Sequence, residues 1–166
     1  GEKDAVVDVE FFGRYELNLL VDNSDQIGLP VIYEDNPTLD KLVGRVEHIA
    51  QLGTLITDFR LIKPGALHCA NGGFLMIDIV KLLTKPFSWE GLKRALSTHE
   101  IRTQSLGQML SIVSTASIEP EPIPLDIKVV LLGNRLVFYR LLDYDPEFTG
   151  LFKVWADFEN NMDVHA

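Results

Sequence analysis

The sequence predicts an α/β fold built on a parallel sheet, and three observations carry that expectation. The stretch Gly72–Asp78, Gly-Gly-Phe-Leu-Met-Ile-Asp, holds an unbroken apolar run, Phe74 to Ile77, between a glycine break and an acid. Such a run suits a strand buried on both faces, as in a parallel sheet covered by helices. A second run, Lys128–Asn134 (Lys-Val-Val-Leu-Leu-Gly-Asn), has the same character and also ends in a polar tip. Stretches with helical spacing lie before and between the two. Open α/β sheets bind ligands at the carboxyl ends of their strands, so Asp78 and Asn134 are the candidate functional residues. A carboxylate placed there can hold a hydrated cation that neutralises phosphate charge. The same pattern also fits an ordinary core strand whose Asp caps a turn or helix.

Taken in order, residues 1–13 form an acidic lead-in that reads as a frayed end or a strand. Tyr15–Val21 alternates, with Leu17, Leu19 and Val21 on one face, and predicts a strand. Asp22-Asn23-Ser24-Asp25 is turn chemistry, and Pro30–Tyr33 is a short extended segment. Pro37 disfavours helix at Asn36, so a helix starts at Thr38 or Asp40, with Leu39, Leu42, Val43 and Val46 at helical spacing. Gly44 and Gly53 loosen that region.

Leu52–Ile62 alternates as a strand does, and Lys63-Pro64-Gly65 turns the chain. Ala66–Asn71 is a short helix leading into the central strand, and Ile79–Leu83 is another that stops near Pro86. Ser88 reads as an N-cap with Glu90 in the first turn, and Trp89, Leu92 and Leu96 supply that helix's core stripe. Ser111–Leu132 reads as two extended runs joined by Glu119-Pro120-Glu121-Pro122-Ile123-Pro124, a stiff acidic hairpin tip. Lys153–Phe158 is the last strand candidate, and the tail after Met162 is expected to be mobile.

Composition narrows the function classes. At 166 residues, with 46% hydrophobic and 23% charged residues, the chain suits one globular domain. No apolar run approaches the roughly 20 residues that cross a bilayer, and the N-terminus has no charged-then-apolar signal pattern. The expectation is a soluble, cytoplasmic chain. The single cysteine, Cys69, permits no internal disulfide. A net charge of −9 works against nonspecific nucleic-acid binding, which draws much of its affinity from neutralised phosphates.

Other constellations have plain readings. His68 and Cys69 are adjacent on a short helix and point apart, and His48 and His99 show no ligand spacing, so His68 reads as a packing and hydrogen-bonding residue. Asp143, Asp145 and Glu147 around Pro146 read as a solvated loop. Trp89 and Trp155 read as core. Leu55, Ile56 and Phe59 read, by their apolar alternation, as part of a buried hairpin.

Several strings, taken in order, resemble one family. They are Asn36-Pro37-Thr38, Gly44-Arg45-Val46-Glu47-His48, Lys63-Pro64-Gly65-Ala66-Leu67-His68, Ala70-Asn71-Gly72-Gly73, and Ser117-Ile118-Glu119-Pro120-Glu121-Pro122-Ile123-Pro124. Gly133-Asn134, Phe152-Lys153-Val154 and Ala156-Asp157-Phe158 complete the series. The chain resembles the AAA+ ATPase module of Lon-like ATP-dependent proteases, in the branch where a long insertion interrupts the ATPase core. The resemblance runs over nearly all of residues 14–162, leaving 163–166 as a tail.

The resemblance implies a partial three-layer AAA+ core with an additional hairpin, inside a ring-forming protein that uses ATP and Mg2+ to unfold protein substrates. A peptidase domain with a Ser–Lys dyad would follow. By position, Asp78 matches the Walker B aspartate on the magnesium side, and Asn134 matches the sensor that reads the γ-phosphate or orients water. Leu55, Ile56 and Phe59 fall where ring ATPases place substrate-gripping loops.

The departures matter equally. Ile79 stands where the family carries the Glu that polarises water. No G-x-x-x-x-G-K-[ST] occurs, and no Arg lies in Asp145–Lys153, the arginine-finger region. Neither dyad residue is present. The chain is therefore expected to be a fragment, inactive alone as peptidase and ATPase, that self-associates and serves subunit contact and substrate handling. The resemblance leaves two rivals: a degenerate ATPase domain acting as an oligomerisation platform, and a nucleic-acid-remodelling motor. The phosphate-loop strand, which the family places next to the sensor strand, is missing. The sheet is expected to leave a gap, recruit Tyr15–Val21, or pair with another molecule.

Overall fold

The strand at the middle of the fold is the one the apolar run predicts. In the computed structural model, which describes residues 17–51, 54–103 and 120–158 (for 48–51 and 54–59 the backbone alone), Phe74–Asp78 is paired on both sides. We number the elements in chain order: β1 (Val31–Glu34), α1 (Leu39–Val43), β2 (Arg45–Gln51), β3 (Thr54–Lys63), α2 (Ala66–Cys69), β4 (Phe74–Asp78), α3 (Ile79–Leu83), α4 (Ser88–Thr98), β5 (Glu100–Ile101), β6 (Ile123–Pro124) and β7 (Lys128–Leu132). The main sheet has the order β1-β4-β7, and both pairings are parallel. These elements belong to the first of two compact units, 1–132; the second is 133–166.

The central strand is buried on one face, not two. Leu75 and Ile77 are fully buried, as are Leu42, Leu67, Leu82 and Leu92 from the helices. Phe74 and Met76, which point the other way, are half-buried. In register with them stand Val31 and Tyr33, 60% and 53% exposed, and Val130, 38% exposed. An unbroken apolar run marks a strand whose two faces are meant to be covered, and two of the three predicted layers are present among the described residues. β7 lies at the sheet's edge there, with β4 as its partner. Tyr15–Val21, whose recruitment was one of the three ways expected to deal with the missing strand, does not join the sheet in its described part. Residues 17–21 are irregular, Leu17 is 95% exposed, and Asn18 reaches β3 by its side chain, Nδ2 donating to the Ile62 carbonyl at 3.1 Å. Alternation alone makes no strand where no neighbouring backbone offers a ladder.

The first helix starts where the sequence places it. Thr38 is the N-cap, its hydroxyl accepting from the Lys41 amide at 3.4 Å, and Leu39, Leu42 and Val43 are buried. It ends earlier than the spacing suggests: Gly44 takes φ +80°, and Val46 belongs to β2. β2 and β3 then form an antiparallel hairpin, Arg45 opposite Lys63 and Gln51 opposite Thr54. Ala66–Cys69 and Ile79–Leu83 are helices as predicted. Ser88 is not the cap of α4 but its first residue, fully buried; the cap is Phe87, in the left-handed region at φ +59°. Trp89 and Leu92 are buried, as the stripe requires, and Leu96 is half-buried.

The proline-rich segment is placed differently from the hairpin tip expected of it. Ile123–Pro124 pairs antiparallel with Glu100–Ile101, so β6 joins β5 rather than folding back on β7. Residues 111–119, the rest of that predicted hairpin, lie outside the described residues. Asn71 fastens the returning chain: its Nδ2 donates to the Pro124 carbonyl at 2.9 Å, and its Oδ1 accepts from the Asp126 amide at 2.9 Å. Both partners are more than fifty residues away in sequence. Asn71→Ala is therefore expected to cost about 2 kcal/mol, measured by urea denaturation, because two backbone groups lose their partner at once. An unchanged midpoint would show that water replaces the side chain without loss.

The second unit holds α5 (Arg135–Tyr144) and α6 (Phe148–Leu151). Leu141 and Phe148 are its buried apolar residues, and Phe138 stacks on Trp155 with centroids 4.6 Å apart. Trp155 is thus 50% exposed rather than core. The predicted strand Lys153–Phe158 is irregular, held by an ion pair between Arg135 and Asp157. Among the described residues, no helix is long and apolar enough to cross a membrane.

Candidate functional site

Both predicted site residues follow parallel strands, and both cap the helix that comes next. Asp78 ends β4 opposite Leu132, the last residue of β7. Its backbone is extended, and its Oδ1 accepts from the Lys81 amide at 3.0 Å, which starts α3. The residue is half-buried. Along the chain, Gly133 and Asn134 follow Leu132. Asn134, in the second unit, is the N-cap of α5, its Oδ1 accepting from the Val137 amide at 2.9 Å. The capping role that the sequence pattern left open for Asp78 is therefore filled, and a short polar side chain at such a position satisfies an orphan helix donor.

Around Asp78 the sequence reading missed two residues. The register of β1 with β4 ends at Glu34 opposite Ile77, so one step further each chain presents an acid, Asp35 and Asp78. Lys81 answers both: its amide caps Asp78, and its ammonium forms an ion pair with Asp35. The Lys81 hydrogen bond holds the Asp35 carboxyl below its ordinary range, and the same bond raises Lys81. Glu34 is already engaged, Oε1 accepting from the Asn36 amide at 2.8 Å. The signal was available: a lysine at the third position of a helix whose cap is Asp, where Glu or Gln would reach back to the cap.

A divalent ion fits these residues poorly. Ile79, at the position of the expected second acid, is 4% exposed and packs in the core. Among the described residues, no group of three or more His, Cys, Asp or Glu is placed to hold a metal ion. His68, as predicted, is a packing residue: it is 6% exposed, and its Nδ1 accepts from the Gly65 amide at 3.1 Å. Burial pushes its pKa down to about 4. Leu55, Ile56 and Phe59 lie in β3, with Leu55 opposite Ala50 and Ile56 opposite Ile49; their side chains are outside the described residues. The structure brings neither this hairpin nor His68 into the neighbourhood of Asp78 by any described contact.

A parallel α/β sheet with a polar residue closing its central strand is the build of a partial P-loop-type nucleotide-binding core. Residues 27–159 match the model of the LonB-like AAA domain, and the chain belongs to that family. Among curated relatives, a protein named as a Lon protease homolog in Escherichia coli (strain K12) is 28% identical over 62% of this chain. A Haemophilus influenzae protein named in the same way is 26% identical over 90% of it, and the archaeal Lon protease of Archaeoglobus fulgidus 31% over 70%. The chain spans 17%, 26% and 18% of those three proteins' lengths, between about a sixth and a quarter of each.

Proposed function

We propose that this chain is a segment of the ATP-dependent unfoldase module of a Lon-like serine protease, contributing the Walker B and sensor positions, subunit contacts and substrate handling. The observation that carries the reading is the in-register ending of β4 and β7, Asp78 opposite Leu132, with Asn134 two residues further along the chain. On this reading Asp78 faces the nucleotide's phosphates and Asn134 reads the γ-phosphate. The nucleotide would supply the phosphoryl group whose transfer drives substrate unfolding. This chain's own part is to orient that group and to transmit its state through the helices that Asp78 and Asn134 cap.

The parent protein would be an oligomeric ring in the cytoplasm that takes protein substrates, with Leu55, Ile56 and Phe59 on the hairpin that meets them. A strand from elsewhere in the polypeptide would pair with β7, because that edge and the apolar face beside it are open among the described residues.

A second reading has its own support: a catalytically degenerate AAA+ domain that serves as an oligomerisation platform. Ile79 is in the core, and no arginine replaces the missing finger in 145–153. Phosphate release by the full-length parent with Mg-ATP separates the two, with Asn134→Ala as control. A motor shows turnover that the substitution lowers at least tenfold; a platform shows none in either protein. A salt-dependent shift with DNA would point instead to a nucleic-acid-remodelling motor.

A further inference from the structure

We infer that Lys81 is a resident counter-cation at the carboxyl ends of β1 and β4, in the place that a divalent ion takes in a metal-dependent phosphate site. The inference deepens the reading of this end of the sheet as the phosphate side and rests on it. One residue serves both acids: the Lys81 backbone amide donates to Asp78, and its side chain pairs with Asp35. Asp78 ends β4 and Asp35 directly follows the adjacent parallel β1, each one step past the last register pair. A divalent ion that bridged them would have to displace an ammonium already seated on Asp35 and share Asp78 with a helix cap.

The nearest residue that could have enlarged the acid set, Ile79, is turned into the core. Glu34, the remaining acid, is bonded to its own turn. Asp35 chiefly, then Tyr33 and least of all Asp78, favours the charged form of Lys81. The ammonium therefore does part of the local neutralising, and a divalent ion gains less here than it would beside two unpaired acids.

The probe is Mn2+ alone, titrated into the 166-residue chain, with free metal followed by electron paramagnetic resonance and broadening of the Asp78 and Asp35 amide signals by NMR. The wild type is expected to show weak binding without selective broadening at these residues. Lys81→Gln should tighten binding about tenfold and broaden both signals, since a unit charge beside the site is removed. Lys85→Gln, the same charge change outside the pair, should not. Adding Asp78→Asn to Lys81→Gln should abolish the gain.

Selective Mn2+ binding by the wild type, no gain in Lys81→Gln over Lys85→Gln, or a gain that survives Asp78→Asn each overturns the inference. No nucleotide enters the measurement. The proposed motor role stands or falls on phosphate release, separately from this result.

Discussion

Gly65→Ala is expected to destabilise the protein by about 3 kcal/mol, seen as a large drop in the urea midpoint without a change of slope. The reason is space, not dihedral angle, because Gly65 has φ −108°, which any residue adopts. A Cβ there would lie 2.3 Å from the Gly44 nitrogen and 2.4 Å from the Leu42 carbonyl oxygen. Both are backbone atoms, so no side chain can rotate away. Gly65 and Gly44 meet where α1 ends, the β2–β3 hairpin closes and α2 begins. Relief of the clash must therefore open the hairpin's base or push α1 off the core. Gly150→Ala is the contrasting case: nothing lies within 4 Å of its Cβ, and the exchange should be neutral or slightly stabilising. If both substitutions proved equally mild, the close approach at Gly65 would not be a constraint on the fold.

The same junction shows how far the sequence was legible. Local chemistry was: Thr38 caps α1, α3 runs over Ile79–Leu83 as its apolar cluster suggested, and Lys63-Pro64-Gly65 turns the chain. These depend on residues a few positions apart. What failed depended on neighbours far away in sequence. Val46 keeps helical spacing with Val43, yet Gly44 at φ +80° redirects the chain so that Val46 can pair with Ile62. Ser88 is the better capping side chain, but it is fully buried within α4, and Phe87 takes the strained position instead.

The alternation of residues 15–21 and the apolar character of 153–158 were real patterns without a partner strand among the described residues. At the candidate site, Asp78 and Asn134 were readable as polar tips on apolar runs. Lys81 stood three residues after Asp78 and was marked by that spacing, but its pairing with Asp35 was not readable, because it is fixed by the register of β1 on β4, the two residues lying 46 apart along the chain.

Acid should weaken this fold in a window set by His68. The Gly65 amide donates to Nδ1, so the neutral ring must carry its proton on Nε2, a buried atom without a hydrogen-bond partner among the described residues. Charging the ring would place a second proton on Nδ1, break the bond to Gly65 and leave a cation in the core. Folding therefore lowers the pKa from 6.5 to about 4, through burial. The unfolded chain binds this proton more tightly than the folded one. The associated stability is whole above pH 6.5, is lost as pH falls, and levels off below about 4, a loss of about 3 kcal/mol. Asp22 and Asp35 also have lowered pKa values, but from 3.8, so their titration lies below this window. Urea midpoints measured from pH 7.5 to 4 should fall steeply in the wild type. In His68→Asn, whose amide oxygen can still accept from Gly65, the slope over that range should flatten. Equal slopes in the two proteins would mean that the imidazole finds water or a partner when protonated, and that the junction tolerates the charge.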